Sequence, residues 1–310
     1  RHSINQMKGI NGEHNSFAKY GFFEQTFNKE SEDNLMVLSG KATVGKTYFA
    51  LKMFYEAFMN YDRNPLFVNL EGTGRSIEDR LVAMYSQCQD DMPSFTFNDI
   101  HTNKGIMKLK EQGRIQDYFD TIRSLEEVDF FENLTHPSIK SYDQQKTDDY
   151  SLLDNFISYL QKQLLQDETI DIVFVDYLGH FSSGDHDVSK KEIFNKLNKL
   201  ANELDVLIVA IDLLPHYNTE HPPTVSDLRS SEIAQQFTKN ILILYNKTFF
   251  TPYNQMKSDR IDCILGLSIY ENGTKINEIE FNFNPNLAII EESFASYKKL
   301  EETDKETEGS

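Results

Sequence analysis

The sequence predicts an α/β fold: a mostly parallel central sheet flanked by helices, with antiparallel strands at its C-terminal edge. Three observations predict it. A short apolar run, Leu35-Met36-Val37-Leu38, leads through a glycine loop into a segment whose Phe49, Ala50, Met53, Phe54, Ala57 and Phe58 recur at helical spacing. Further buried-type runs at 64–70, 170–176, 206–211 and 241–245 alternate with amphipathic helical patterns, which makes a parallel sheet covered on both faces. Residues 261–290 instead alternate apolar and polar in short runs around Asn272-Gly273, a strong hairpin turn.

The glycine loop is Gly40-Lys41-Ala42-Thr43-Val44-Gly45-Lys46-Thr47, followed by Tyr48, and it fits the pattern G-x-x-x-x-G-K-[ST]. Its glycines let the backbone curl so that N–H groups point at phosphate oxygens, and the helix N-terminus adds positive potential. Lys46 is placed to reach the β- and γ-phosphates, and the Thr47 hydroxyl to ligate a nucleotide-bound Mg²⁺. With a strand before the loop and a helix after it, the stretch predicts a nucleoside triphosphate site.

The remaining elements follow in order. Residues 1–33 read as a polar lead-in with a few aromatics that packs on the domain or on a neighbouring subunit. The run Asn64 to Leu70 is a buried strand ending in Glu71, and Ser76 to Leu81 opens a helix whose first acids suit its N-terminus. Taken alone, Glu71 is better explained as a strand-end cap for that helix. Residues 84–150 give one or two amphipathic helices and a strand near Val128 to Leu134. A helix follows from Tyr150, and then Ile170 to Val175 closes on Asp176, the arrangement that delivers an acid to Mg²⁺ beside a phosphate loop. The helix with Ile193, Phe194, Leu197 and Leu204 precedes the strand Val206 to Ile211. The domain is thus expected over 34–291, with 292–310 as an acidic, disordered tail.

Composition narrows the function classes. The net charge of −18 argues against a general polyanion-binding surface but not against a locally basic loop. No apolar run approaches the ~20 residues of a membrane span, and the N-terminus lacks a signal-peptide pattern. The two cysteines, Cys88 and Cys263, read as small core residues in a reducing, cytoplasmic compartment. His180, His216 and His221 do not make a metal set.

In the order of its motifs the chain resembles the C-terminal, RecA-like ATPase domain of DnaB-type replicative helicases over about residues 18–291. The resemblance rests on the phosphate loop followed by Tyr48-Phe49-Ala50-Leu51, on Asn69-Leu70-Glu71 with Ile77 through Leu81, on Asp176-Tyr177-Leu178, and on Pro223-Thr224-Val225-Ser226-Asp227-Leu228-Arg229. It implies an ATP-dependent helicase motor with ATP and Mg²⁺ as cofactors. It makes Lys46, Glu71 and Asp176 catalytic, Glu71 as the base, and Thr47 and Asp176 the metal residues. Arg229, Ser230 and Glu232 become contacts to single-stranded DNA in a pore, with a salt bridge from Arg229 to Asp227 or Glu232 as the lesser alternative. The implied partners are single-stranded DNA, further copies in a homo-hexameric ring, and a primase or helicase loader.

The departures are as specific. Where the family has a serine and a glutamine that sense the γ-phosphate, Asp212 and Leu213 stand here, and Gly179 replaces the glutamine after D-Y-L. The family's K-x-R arginine finger before the hairpin turn is Ile269-Tyr270-Glu271. These replacements imply a second reading: a degenerate ATP-binding relative with weak hydrolysis that acts through a replication or recombination partner.

Overall fold

The computed structural model describes residues 21–28, 33–70, 74–89, 93–135, 153–182, 188–214, 221–228, 231–250 and 263–293. Its strands are β1 (Leu35–Gly40), β2 (Pro65–Asn69), β3 (Leu134–Thr135), β4 (Ile172–Asp176), β5 (Leu207–Leu213), β6 (Asn240–Asn246), β7 (Cys263–Glu271), β8 (Thr274–Asn284) and β9 (Ile289–Glu292). Its helices are α1 (Phe22–Asn28), α2 (Lys46–Asn60), α3 (Gly74–Gln87), α4 (Phe97–His101), α5 (Asn103–Glu111), α6 (Ile115–Glu126), α7 (Leu153–Gln166), α8 (Lys190–Leu204) and α9 (Ser231–Phe237).

The strands join one nine-stranded sheet in the order β3-β2-β4-β5-β1-β6-β7-β8-β9. Pairing is parallel from β3 through β6 and antiparallel from β6 to β9. That is the expected fold class. Parallel strands are buried on both faces, which is why β1, β2 and β4 carry apolar side chains at nearly every position. The predicted turn is present: Asn272 and Gly273 both take positive φ, 50° and 77°, between β7 and β8.

Each face has its own core. On one, α2 sets Phe49, Met53, Phe54 and Ala57 against Leu38, Phe67 and Phe174, with the Phe54 ring edge-on to Phe67 at 5.9 Å. On the other, Phe156 and Leu160 of α7 and Phe194 and Leu197 of α8 cover Val37, Val173, Val175 and Ile208. The described aromatics of the lead-in join the first core. Phe22 and Phe27 are buried, the Phe22 ring lies 5.8 Å from Phe49, and the Phe22 N–H donates to the Glu292 carboxylate at 3.1 Å.

Two expectations are corrected. The strand predicted near Val128 to Leu134 is a 3₁₀ turn, Phe130–Asn133, and only Leu134 and Thr135 reach the sheet edge beside Phe67 and Val68. The cause is packing: Phe130 turns inward, its ring 5.1 Å from Phe58 and 5.3 Å from Phe54, and this pulls the chain off a strand path. Neither cysteine is fully buried, although Cys263 packs against the first core. Cys88 is exposed beyond the end of α3, and Cys263 is half-buried at the first position of β7. Residues 1–20 and the tail from 294 lie outside the described residues. Among the described residues no helix is long and apolar enough to cross a membrane.

Candidate functional site

The glycines of the loop after β1 are fixed by close approach and by backbone conformation. A side chain at Gly40 would place its Cβ 2.6 Å from the Leu244 carbonyl oxygen and 2.9 Å from Val44 Cγ1. Gly45 has φ +103° and lies against the Phe283 ring, which a Cβ would meet at 3.1 Å. The turn between them uses a positive φ at Thr43 as well. Lys41, Ala42 and Thr43 are exposed, while Val44 through Tyr48 are half-buried.

Gly45 carries no side chain to cap α2, and no side-chain hydrogen bond caps this end. The first helical N–H groups therefore face the loop, the arrangement that accepts an anion at a helix N-terminus. The Lys46 ammonium donates to the Lys41 carbonyl at 3.0 Å, so its charge is folded back over the same loop. Thr47 follows it on the first turn of α2.

Asp176 ends β4, two strands from β1, and is nearly buried. Alternation along β4 puts Ile172 and Phe174 in the core under α2, so Asp176 points to that same side. Its backbone is held on both flanks, by Asn69 of β2 and Ile211 of β5 in register, while the Leu70 N–H donates to its carbonyl at 2.6 Å. A hydroxyl on Thr47 and a carboxylate on Asp176 are hard oxygen donors, the kind a nucleotide-bound Mg²⁺ takes. The residues present thus fit a magnesium–triphosphate ligand.

A stack that the sequence did not announce backs the loop. The Tyr48 ring lies 5.6 Å from Phe283 on one side and 4.9 Å from the Arg80 guanidinium on another, and Arg80 also covers Phe97 at 5.5 Å. Burial pushes the Tyr48 phenol up, with Arg80 opposing. Helix α3, which follows the Glu71 segment, is in this way clamped to the helix that starts at the phosphate loop. One residue earlier on α3, Asp79 meets His101 Nδ1 at 2.8 Å; burial raises its carboxyl, with His101 and Arg75 pulling the other way. Only a cation–aromatic pairing across elements could have revealed Arg80, and sequence spacing does not encode that.

The other predicted residues divide. Glu71, Arg229 and Ser230 lie outside the described residues, and Glu232 is in α9 with its side chain outside them. The approach to Arg229 is described. Asp227 accepts the Thr224 N–H at 2.7 Å in a capping box, and Val225 and Leu228 are buried against the sheet. Asp227 is therefore engaged as a cap. Asp212 and Leu213 end β5 between Asp176 and the loop; Asp212 is buried and ion-paired with Lys190, whereas Leu213 is 41% exposed. Ile269 and Glu271 stand on β7 just before the hairpin turn, Ile269 against the α2-side core and Glu271 exposed.

Comparison with known proteins agrees with this geometry. Residues 19–292 match the family described as DnaB-like helicase C terminal domain. A Chlamydia psittaci protein named "Probable plasmid replicative DNA helicase" is 24% identical over 258 residues, covering 81% of this chain and 49% of its own. "Replicative DNA helicase DnaB" of Treponema pallidum is 25% identical over 219 residues, 68% of this chain and 43% of its own. The chain thus spans about half the length of the curated relatives it matches. Among solved structures, the ATPase domain of G40P superposes with a TM-score of 0.58 at 17% identity, covering 83% of this chain and 84% of that one. A DnaB-like replicative helicase, described with its interactions with primase, gives 0.59 at 19% identity over 83% of this chain and 57% of that one.

Proposed function

The chain belongs to the DnaB-like helicase C-terminal domain family, and from that premise we propose that it is an ATP-dependent helicase motor acting on single-stranded DNA in replication. The observation that carries the reading is the phosphate loop at the end of β1 with Asp176 at the end of β4, both presented on the α2 side of one sheet. The loop N–H groups and Lys46 would hold the phosphates, and Thr47 and Asp176 would hold Mg²⁺. When bound, the metal neutralises phosphate charge. Glu71, which follows β2 in the sequence, would take the proton of the attacking water.

Beyond the cap at Thr224 and Asp227, Arg229 would meet a DNA phosphate, with backbone N–H groups of Ser230 to Glu232 beside it. Six copies in a ring would surround the strand, with a primase or loader as further partners, in the cytoplasm. The experiment is steady-state ATP hydrolysis by the purified chain, with and without single-stranded DNA, beside Glu71→Ala. DNA-stimulated turnover that the variant abolishes supports the motor.

The alternative is favoured by one set of positions: an acid at 212, an exposed leucine at 213, and Ile269 and Glu271 in place of a basic finger. On this reading the chain binds ATP, hydrolyses it slowly and acts through a partner. Bound ATP with turnover near zero, unchanged by DNA and by Glu71→Ala, would select it.

A further inference from the structure

The strand between Asp176 and the phosphate loop ends in a buried acid. Ile211 is in register with Asp176, and Asp212 and Leu213 are in register with Ser39 and Gly40. The Leu214 N–H then donates to the Gly40 carbonyl at 2.9 Å, which fastens this strand end to the first glycine of the loop. The Asp212 backbone is therefore one strand spacing, about 4.8 Å, from the residue that precedes the loop. Its side chain points to the α8 face, as alternation with Ile208 and Ala210 requires, and is 3% exposed.

The cation that meets this carboxylate is the ammonium of Lys190, in a hydrogen-bonded ion pair. The neighbouring Ser39 hydroxyl is fully buried and makes no hydrogen bond among the described residues, so it does not share the charge. Lys190 is the first residue of α8, where the positive end of the helix disfavours a lysine. Helix propensity does not account for a cation there; the buried acid it faces does. An uncompensated carboxylate at this point would act on a triphosphate through the sheet edge. At about 9 Å and an effective dielectric of about 20, one further phosphate charge would be disfavoured about twentyfold.

We propose that Lys190, by neutralising Asp212, is a positioning and charge-balancing residue that allows this site to accept a triphosphate in preference to a diphosphate. The proposal rests on the nucleotide reading of the phosphate loop. It makes Lys190 and Asp212 a matched pair in which each residue is tolerable only with the other. It also ties the end of the segment that follows Asp176 to the start of the segment that follows β5, because Lys190 and Asp212 stand at those two roots.

The test is equilibrium binding of ATP and of ADP, each with Mg²⁺, to the full chain and to Lys190→Met, Asp212→Ser and the double variant. Thermal melting checks that each is folded. Lys190→Met is expected to lower the preference for ATP over ADP about twentyfold, because the acid is left bare. Asp212→Ser is expected to raise that preference, and the double variant to return it to within about threefold of the parent. A purely structural pair would shift the melting temperature and leave the ATP-to-ADP ratio unchanged in both single variants, which would overturn the proposal. If Lys190→Met does not fold, an unchanged ratio in Asp212→Ser overturns it equally. A parent chain that binds neither nucleotide would remove the nucleotide reading itself, and this proposal with it; binding with unchanged ratios removes the proposal alone.

Discussion

Along β1, β4 and β5 the strands are apolar for most of their length, and their last residues carry the polar groups: Gly40 and its loop, Asp176, Asp212. Along β8 the polar groups instead run the whole length, with Glu278 and Glu280 alternating with Ile279 and Phe281. The first pattern places chemistry at one edge of a sheet whose faces are sealed. The second gives an edge sheet one sealed face and one wet face. On that wet face Tyr245 donates to Glu278 at 2.6 Å, and Lys247 pairs with Glu280 and Lys275 with Glu278. The parallel strands carry the phosphate loop and Asp176 that the resemblance assigns to nucleotide, with Asp212 and Leu213 in place of its sensors, whereas the antiparallel edge holds Ile269 and Glu271 where the resemblance implies a basic finger. The two parts of the sheet meet at the loop, since Phe283 of β8 packs on Gly45 and Tyr48.

The largest effect is expected on the parallel side. Lys46→Ala removes the only loop side chain proposed to reach the β- and γ-phosphates, and the fold should stay intact because the side chain is half-buried and donates to the Lys41 carbonyl of the loop itself. Turnover is expected to fall at least about 100-fold, the scale for losing one group that stabilises developing charge. Unaltered ATP binding and turnover in this variant would break the assignment of the chemistry to this edge.

How much of this was legible depends on how local each signal is. The phosphate loop, the Asp176 strand and the Asn272-Gly273 turn are each specified by a few adjacent residues, so their sequence pattern carries them. The same is true of the parallel strands, whose continuous apolar runs reflect burial on both faces. The missed features are decided across elements. Phe130 looks like a strand residue until the Phe54 and Phe58 rings draw it inward. Arg80 looks like one charge on an amphipathic helix until Tyr48 and Phe97 are found around it. Asp212 reads as a bare departure from a family pattern, and its compensating lysine lies 22 residues earlier, at the start of a helix.

A second test asks whether the antiparallel edge is a mere attachment or part of the same core. Phe281 is fully buried and touches the rings of Phe22, Phe23 and Phe49, with centroids 6.2, 6.1 and 5.1 Å away. It thus joins β8 to α1 and to the helix of the phosphate loop. Phe281→Ala is expected to cost about 3–5 kcal/mol, the usual price of an aromatic deleted from a core. Chemical denaturation should show one cooperative transition at lower denaturant. A cost below about 1 kcal/mol, or a separate early transition, would mean that β7 to β9 fold apart from the parallel strands.

The smallest effect is on the wet face of the edge, and its sign follows from Glu278. Burial alone would raise this carboxyl, but hydrogen bonds from Lys275 and Tyr245 together with Lys247 hold it below its ordinary value. A carboxyl depressed in the folded state contributes stability that is present above its unfolded pKa, about 4.3, and is lost as pH falls through the folded value. Glu278→Gln should therefore lower stability at pH 7 and leave it nearly unchanged below the folded value. Because the side chain is 29% exposed and its partners are screened by water, the difference at pH 7 is expected to be about 1 kcal/mol or less. Melting curves of both proteins across the acid range measure it. Convergence toward low pH would locate the benefit in ion pairing on the open face, whereas a constant offset at every pH would place it in contacts of the side chain that do not depend on its charge.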